Sequence, residues 1–191
     1  MVQIGCAKIP NSSRFYRVSP PTQKGGPWTE TVLYSLDRAT NMGSNAEGPV
    51  TFDESGNMYG TTAFGGDLNC SGGFGCGVVF ELSPQTGGTW TYTNLYSFQG
   101  GSDGAEPMCL LVFDTNGNLY GTASTGFSVA GSAFRLSPPA TDGTAWTETT
   151  LHAFTASGPG DGLARGKWHG LYGVTYSGGK YNGGVVFELQ P

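Results

Sequence analysis

The chain has 191 residues, 33 of them glycine, with only 12% charged and 13% aromatic side chains. That length suits one sizeable domain; the glycine content favours turns and short strands over helices, and the aromatic content argues against disorder. A net charge of −5, with Lys and Arg scattered singly, offers no basic patch to a phosphate backbone, so nucleic acid is not an expected partner.

At the N-terminus no basic start followed by an apolar stretch marks a signal peptide. The longest clean apolar run anywhere, residues 109–113, is far short of the ~20 residues a membrane helix needs, so membrane insertion is not expected. Residues 14–19 are the first with strand character. They look like a degraded copy of a block met again downstream, so the chain opens in the middle of a unit.

The first full block begins at Trp28 and runs to Leu36. It returns as residues 90–98 and again as 146–154, with tryptophan-to-tryptophan steps of 62 and 56 residues. Strict alternation places Trp, Tyr and Leu or Phe on one face and Thr, Leu and Ser on the other. A second block follows, in which residues 52–61 match residues 113–122. Each carries Asp-x-x-Gly-Asn between two apolar strands, the chemistry of a tight hairpin: Asp caps the turn and glycine supplies the positive φ. The third block is residues 77–84, 131–138 and 184–191; its Ser-Pro ending in the first two copies stops the strand, because proline cannot donate to a ladder.

Each repeat therefore holds four strands, and the expected fold is all-β: tandem four-stranded antiparallel repeats forming propeller-like blades. The rival arrangements are a sandwich and a solenoid. The repeat borders fall at 1–26 (the tail of a preceding unit), 27–87, 88–143 and 144–191. The last unit lacks a Trp-Tyr strand of its own, and the strand at Trp28 is a candidate to supply it, closing the ring by strand exchange. Three units fall short of the four to eight blades usual for a ring, which leaves a fragment, an open array, or a homodimer completing the ring. The third unit also replaces the Asp-x-x-Gly-Asn turn by Gly166-Lys167-Trp168-His169-Gly170. Sixteen residues separate Phe154 from Leu171, against twenty between Phe98 and Leu119, so a shortened or misformed hairpin is expected there.

The blocks at 56–62 and 117–122, the glycine pairs at 65–66 and 178–179 and the Val-Val-Phe-Glu-Leu strands resemble the GloVer tandem repeat of bacterial "choice-of-anchor" surface proteins. The resemblance covers residues 14–191. It implies an exported, anchored repeat protein, extracellular or at the cell surface, and no particular activity.

The residues that carry chemistry are few. Cys70 and Cys76 flank a glycine-rich loop and suit a disulfide in an exported protein, two free thiols being the alternative. Neither zinc nor calcium spacing is present, and no metal or cofactor is expected. Cys109 reads as a core residue, and His152 holds the place of Tyr34 and Tyr96. Gly100-Gly101-Ser102-Asp103-Gly104 matches the nucleophile-elbow pattern but is followed by no helix, so no catalytic residue is assigned. Asp103 and Asp161 precede the first strands of their units and would approach an axial mouth, while Trp168 and His169 lie outside the repeat pattern. These four are the candidate binding residues. They support a non-catalytic scaffold or binding module for a glycan or surface protein; the alternative is a sugar or lactone hydrolase built on Asp103, Asp161 and His169.

Overall fold

The computed structural model describes residues 3–9, 12–37, 41–124, 131–141, 144–155, 158–160 and 162–191. Among them are fourteen strands in four antiparallel sheets, in chain order. Sheet 1 contains β1 (Gln3–Ile9), β2 (Ser12–Ser19) and β3 (Thr29–Asp37). Sheet 2 contains β4 (Thr51–Phe52), β5 (Met58–Thr62), β6 (Val78–Pro84) and β7 (Trp90–Ser97). Sheet 3 repeats that plan with β8 (Val112–Phe113), β9 (Leu119–Ser124), β10 (Gly131–Ser137) and β11 (Thr147–Phe154). Sheet 4 contains β12 (Ala164–Arg165), β13 (Leu171–Val174) and β14 (Val186–Leu189). Each strand pairs with its neighbour in sequence, giving a meander per sheet: the blade-like repeat of a propeller-like fold.

The hydrogen-bonded sheets are cut one strand later than the sequence repeat, since each Trp-Tyr strand pairs with the strand before it. The strand at Trp28 is thereby committed to sheet 1, where β3 pairs with β2 from Ser12↔Asp37 to Ser19↔Thr29. It does not complete sheet 4, as strand exchange would require. The first sheet also gains β1, whose sequence has none of the repeat's Gly-Asn-Leu-Tyr wording.

A cross-strand pair sets the register of all four sheets. Gly60 stands opposite Phe80, Gly121 opposite Phe134 and Gly173 opposite Phe187, and in sheet 1 Gly5 stands opposite Tyr16. In sheets 2 to 4 the aromatic ring lies over the glycine so closely that a Cβ there would come within 2.7, 2.7 and 2.4 Å of the ring carbon Cζ. Covering a bare stretch of backbone this way buries the ring and compensates for the side chain glycine lacks.

A β-bulge recurs one step along. Register slips between Phe15 and Tyr16, between Val79 and Phe80, and between Ala133 and Phe134, leaving Leu33, Leu95 and Leu151 as the extra residues on the outer strands. The expectation of one continuous apolar face on the Trp-Tyr strand fails here, because an inserted residue turns the rest of the strand over. Trp90 and Tyr92 pack against sheet 1, while Leu95, Tyr96 and Phe98 pack toward sheet 3. One strand thus serves two interfaces.

Three apolar clusters fill the gaps between successive sheets. Phe15, Leu36, Met58, Phe80 and Leu82 lie between the first pair; Leu95, Phe98, Leu111, Leu119, Phe134 and Leu136 between the second; and Tyr120, Leu163 and Leu171 between the third. The recurrent contact is the residue ending the outer strand against the glycine-backed ring of the next sheet, as in Phe98–Phe134 (5.2 Å) and Phe154–Phe187 (5.0 Å). Polar stitches cross the same gaps: Ala46 N–H donates to Ser13 Oγ, Cys109 N–H to Thr61 Oγ1, and Thr122 Oγ1 to the Gly160 carbonyl.

The glycine–ring pair yields a graded prediction. Gly121→Ala places a methyl against Phe134, Cys109 and Leu111 and should destabilise by about 1–3 kcal/mol, the usual range for overpacking. Gly56→Ala, whose Cβ meets nothing within 4 Å, should lose only about 1 kcal/mol from its left-handed φ of 84°. Urea midpoints of the two variants check the order.

Candidate functional site

The strands have two ends, and the candidate residues divide between them. At one end are the hairpin turns joining the first two strands of each sheet. Asp53 and Asp114 sit at the head of two of these turns, where each carboxylate accepts four hydrogen bonds. For Asp114 the donors are the N–H groups of Asn116 and Asn118 at 2.8 and 2.9 Å, Asn118 Nδ2 at 2.7 Å and the Tyr120 hydroxyl at 3.0 Å. Asp53 has the same set from Ser55, Asn57 and Tyr59. This network accounts for the Asp-x-x-Gly-Asn-x-Tyr wording residue by residue.

Burial would raise both aspartates, but the donors from the turn outweigh it and hold them below the usual carboxylate value of 3.8. Tyr59 and Tyr120 are displaced upward, first by burial and then by the neighbouring acids, which keeps their hydroxyls protonated as donors. A carboxylate depressed on folding contributes stability above its unfolded value, and that contribution disappears as pH falls through the folded one. Replacing both aspartates, as in Asp53→Asn with Asp114→Asn, should lower stability at neutral pH and flatten the acid-side loss below about pH 4. Melting temperature measured from pH 2 to 7 reads it.

The third turn keeps the same length. Gly166 N–H donates to the Gly170 carbonyl at 2.9 Å, as Asp53 does to Asn57 and Asp114 to Asn118. The hairpin is therefore not shortened; the four missing residues come from the connection between β11 and β12. With the aspartate gone, the Tyr172 hydroxyl turns to Glu188 Oε1 at 2.8 Å. His169 occupies the left-handed position held elsewhere by Gly56 and Gly117, with φ 66°, and Trp168 beside it has φ 62°. A non-glycine residue there costs on the order of 1 kcal/mol. The Trp168 side chain extends into solvent, 89% exposed.

His169 does not stand alone. Its Nδ1 lies 3.0 Å from Arg165 Nη2, and Arg165 Nη1 donates to the Phe113 carbonyl at 3.1 Å. With Arg135, Tyr120 and Asp114 they line a cleft of about 320 Å³ between sheets 3 and 4. A second basin, of about 780 Å³, runs on between sheets 2 and 3 past Trp146, Phe113, Phe52 and Tyr59, sharing Arg165, Asp114 and Thr115 with the first. The two form one groove along the turn end.

Asp103 lies at the opposite end of β9. Its carboxylate accepts from Tyr96 Oη at 3.0 Å, Gln99 N–H at 2.8 Å and Gly101 N–H at 3.1 Å, and its carbonyl accepts from Ser132 Oγ. Buried and engaged on all sides, it shapes the loop entering sheet 3. Asp161 lies outside the described residues. Asp103 and His169 are thus not brought together. Near Asp103 a disulfide joins Cys70 to Cys76 across 5.5 Å between Cα atoms, closing the loop between β5 and β6. Cys109 is buried in the core between sheets 2 and 3, where the Thr122 N–H points at its sulfur.

Sequence reasoning found His169 and missed Arg135 and Arg165, which it passed over as isolated charges. The signal for Arg165 lay in its repeat column, where Phe52 and Phe113 stand; Arg135 shares its column with Arg17, Glu81 and Glu188 and gives no such signal. Among the described residues no cluster of three His, Cys, Asp or Glu side chains could hold a metal ion, and no helix is long and apolar enough to cross a membrane.

Four successive meanders sharing one glycine–aromatic register, three of them with the same bulge, define a tandem blade-repeat protein. The chain belongs to the Gloeobacter/Verrucomicrobia repeat family, whose model matches residues 10–191. No curated protein and no solved structure matches it.

Reducing the Cys70–Cys76 bridge, or replacing both cysteines by serine, should cost about 2 kcal/mol from the short loop it closes. Chemical denaturation with and without reductant measures it.

Proposed function

We propose that this chain is a non-catalytic repeat scaffold that works outside the cytoplasm and binds a glycan or a protein partner. The observation that carries this reading is how the acids are used. Asp53, Asp103 and Asp114 are each spent on fixing a loop, which gives a rigid frame, while the groove at the turn end is left facing solvent. A rigid surface with a preformed cleft suits recognition, since little ordering entropy is lost on binding. The Cys70–Cys76 disulfide favours an oxidising compartment. Screens of folded protein against a glycan array and against surface-protein extracts should return a specific ligand; silence in both overturns the reading.

The same reading includes self-association. Val186 is 76% exposed on the outer face of sheet 4, whereas its counterparts Val79 and Ala133 are fully buried against the next sheet. Tyr172 is 37% exposed, against 6% for Tyr59 and 4% for Tyr120. At the other end Trp28 is exposed, while Trp90 and Trp146 pack against the preceding sheet. Sheet 1 and sheet 4 thus leave uncovered surfaces that face a neighbour inside the array, and a second copy docking sheet 1 on sheet 4 would cover both, without the outer-strand aromatic that Phe98 and Phe154 supply elsewhere. Light scattering should give a dimer mass that falls to monomer in Val186→Lys; a wild-type monomer at high concentration removes the dimer from the proposal.

A further inference from the structure

The repeat supplies its own control for which surface residues are scaffold and which are not. Two positions break their repeat column by introducing a cation or an imidazole, phenylalanine becoming Arg165 and the turn glycine becoming His169, and they are joined by Arg135, whose column reads Arg17, Glu81, Arg135 and Glu188. They come from three different elements, β12, β10 and the turn before β13, yet all three line the same cleft. The two breaks carry a local cost. Arg165 forgoes the aromatic contact that Phe113 makes with Tyr59 at 5.0 Å, and His169 accepts a left-handed backbone where glycine is free of strain.

The geometry points to a binding site for an acidic saccharide, a sugar chain bearing carboxylates, lying along this groove; the inference rests on the binding-module reading above. Arg165 is held in place by the Phe113 carbonyl and His169, so its guanidinium is oriented before a ligand arrives. Arg135 lines the same cleft beside the Tyr120 hydroxyl, with which it shares a hydrogen bond, and brings a second guanidinium charge to it. Of the carboxylates lining the groove, Asp114 and Asp53 each already accept four hydrogen bonds from their own turns, and Glu54 lines only the second basin. Beyond Arg165 the groove continues past Trp146, Phe113 and Phe52, apolar ring surfaces suited to the C–H faces of neighbouring sugar units. A cationic pocket adjoining an aromatic channel matches alternating carboxylate and ring, which neither a neutral glycan nor a bare inorganic anion offers.

The test is calorimetric titration of the full chain with a tetragalacturonate and with its methyl ester. The acidic form should bind at least tenfold more tightly than the ester, and 0.5 M salt should weaken it further. Arg165→Phe and Arg135→Glu each restore the residue found elsewhere in the repeat, so both should fold normally and each should lose about tenfold in affinity. His169→Gly should raise the melting temperature while weakening binding. Equal affinity for acid and ester, or variants that bind like wild type, overturns the assignment. A neutral glycan or a protein captured equally by wild type and Arg165→Phe would refute the acidic groove and leave the binding-module reading standing. Failure of every glycan and protein ligand would remove both.

Discussion

The array depends on a phenyl ring placed over a glycine. In three sheets the aromatic residue of the third strand lies across bare backbone of the second, and the same pair of positions recurs in register in the first sheet. This contact fixes which residues of the two central strands face each neighbouring sheet. A one-residue slip would send each side chain of the slipped strand to the opposite interface and take the ring off the glycine. It also sets the height at which the next interface forms, because the ring's outer edge receives Phe98 or Phe154 from the preceding sheet. The bulge beside it follows from the same demand: the outer strand must face one neighbour with Trp90 and Tyr92 and the other with Tyr96 and Phe98, which an unbroken strand cannot do.

Much of this was legible in the sequence, because turn chemistry and strand endings are local. Asp-x-x-Gly-Asn announced a hairpin whose carboxylate network is as its wording requires, and Ser-Pro marked where the third strands stop. The degraded block at 14–19 lies within β2. What stayed hidden depends on partners distant in sequence. Period-two alternation through Thr93-Asn94-Leu95-Tyr96 is a valid strand pattern, and nothing within that strand says that Leu95 opposes no residue of β6. The third turn was misread for a related reason: its closing bond is between backbone atoms, so it survives loss of the aspartate that normally caps it.

The site was partly legible. Departure from the repeat drew attention to His169, and the same criterion applied to whole columns reaches Arg165, whereas Arg135 shares its column with Arg17 and emerges only in the assembled groove. Charge run by run could not find them, since the groove gathers cations from strands thirty residues apart. Asp103 shows the opposite error: an Asp-Gly pair near a strand start is as good a loop staple as a ligand, and here the four surrounding donors and its burial make it the staple.

Each sheet meets its two neighbours through unlike faces: the side bearing Phe80 looks backward and the side bearing Val79 looks forward. A segment of one period copied in tandem at the DNA level would therefore arrive with both of its surfaces already matched to whatever flanks it. Growth of the array by whole units needs no new packing solution. Such a fold can lengthen by duplication alone, and a groove spanning several blades gives each copy a separate position in which a cation can be substituted without disturbing the rest.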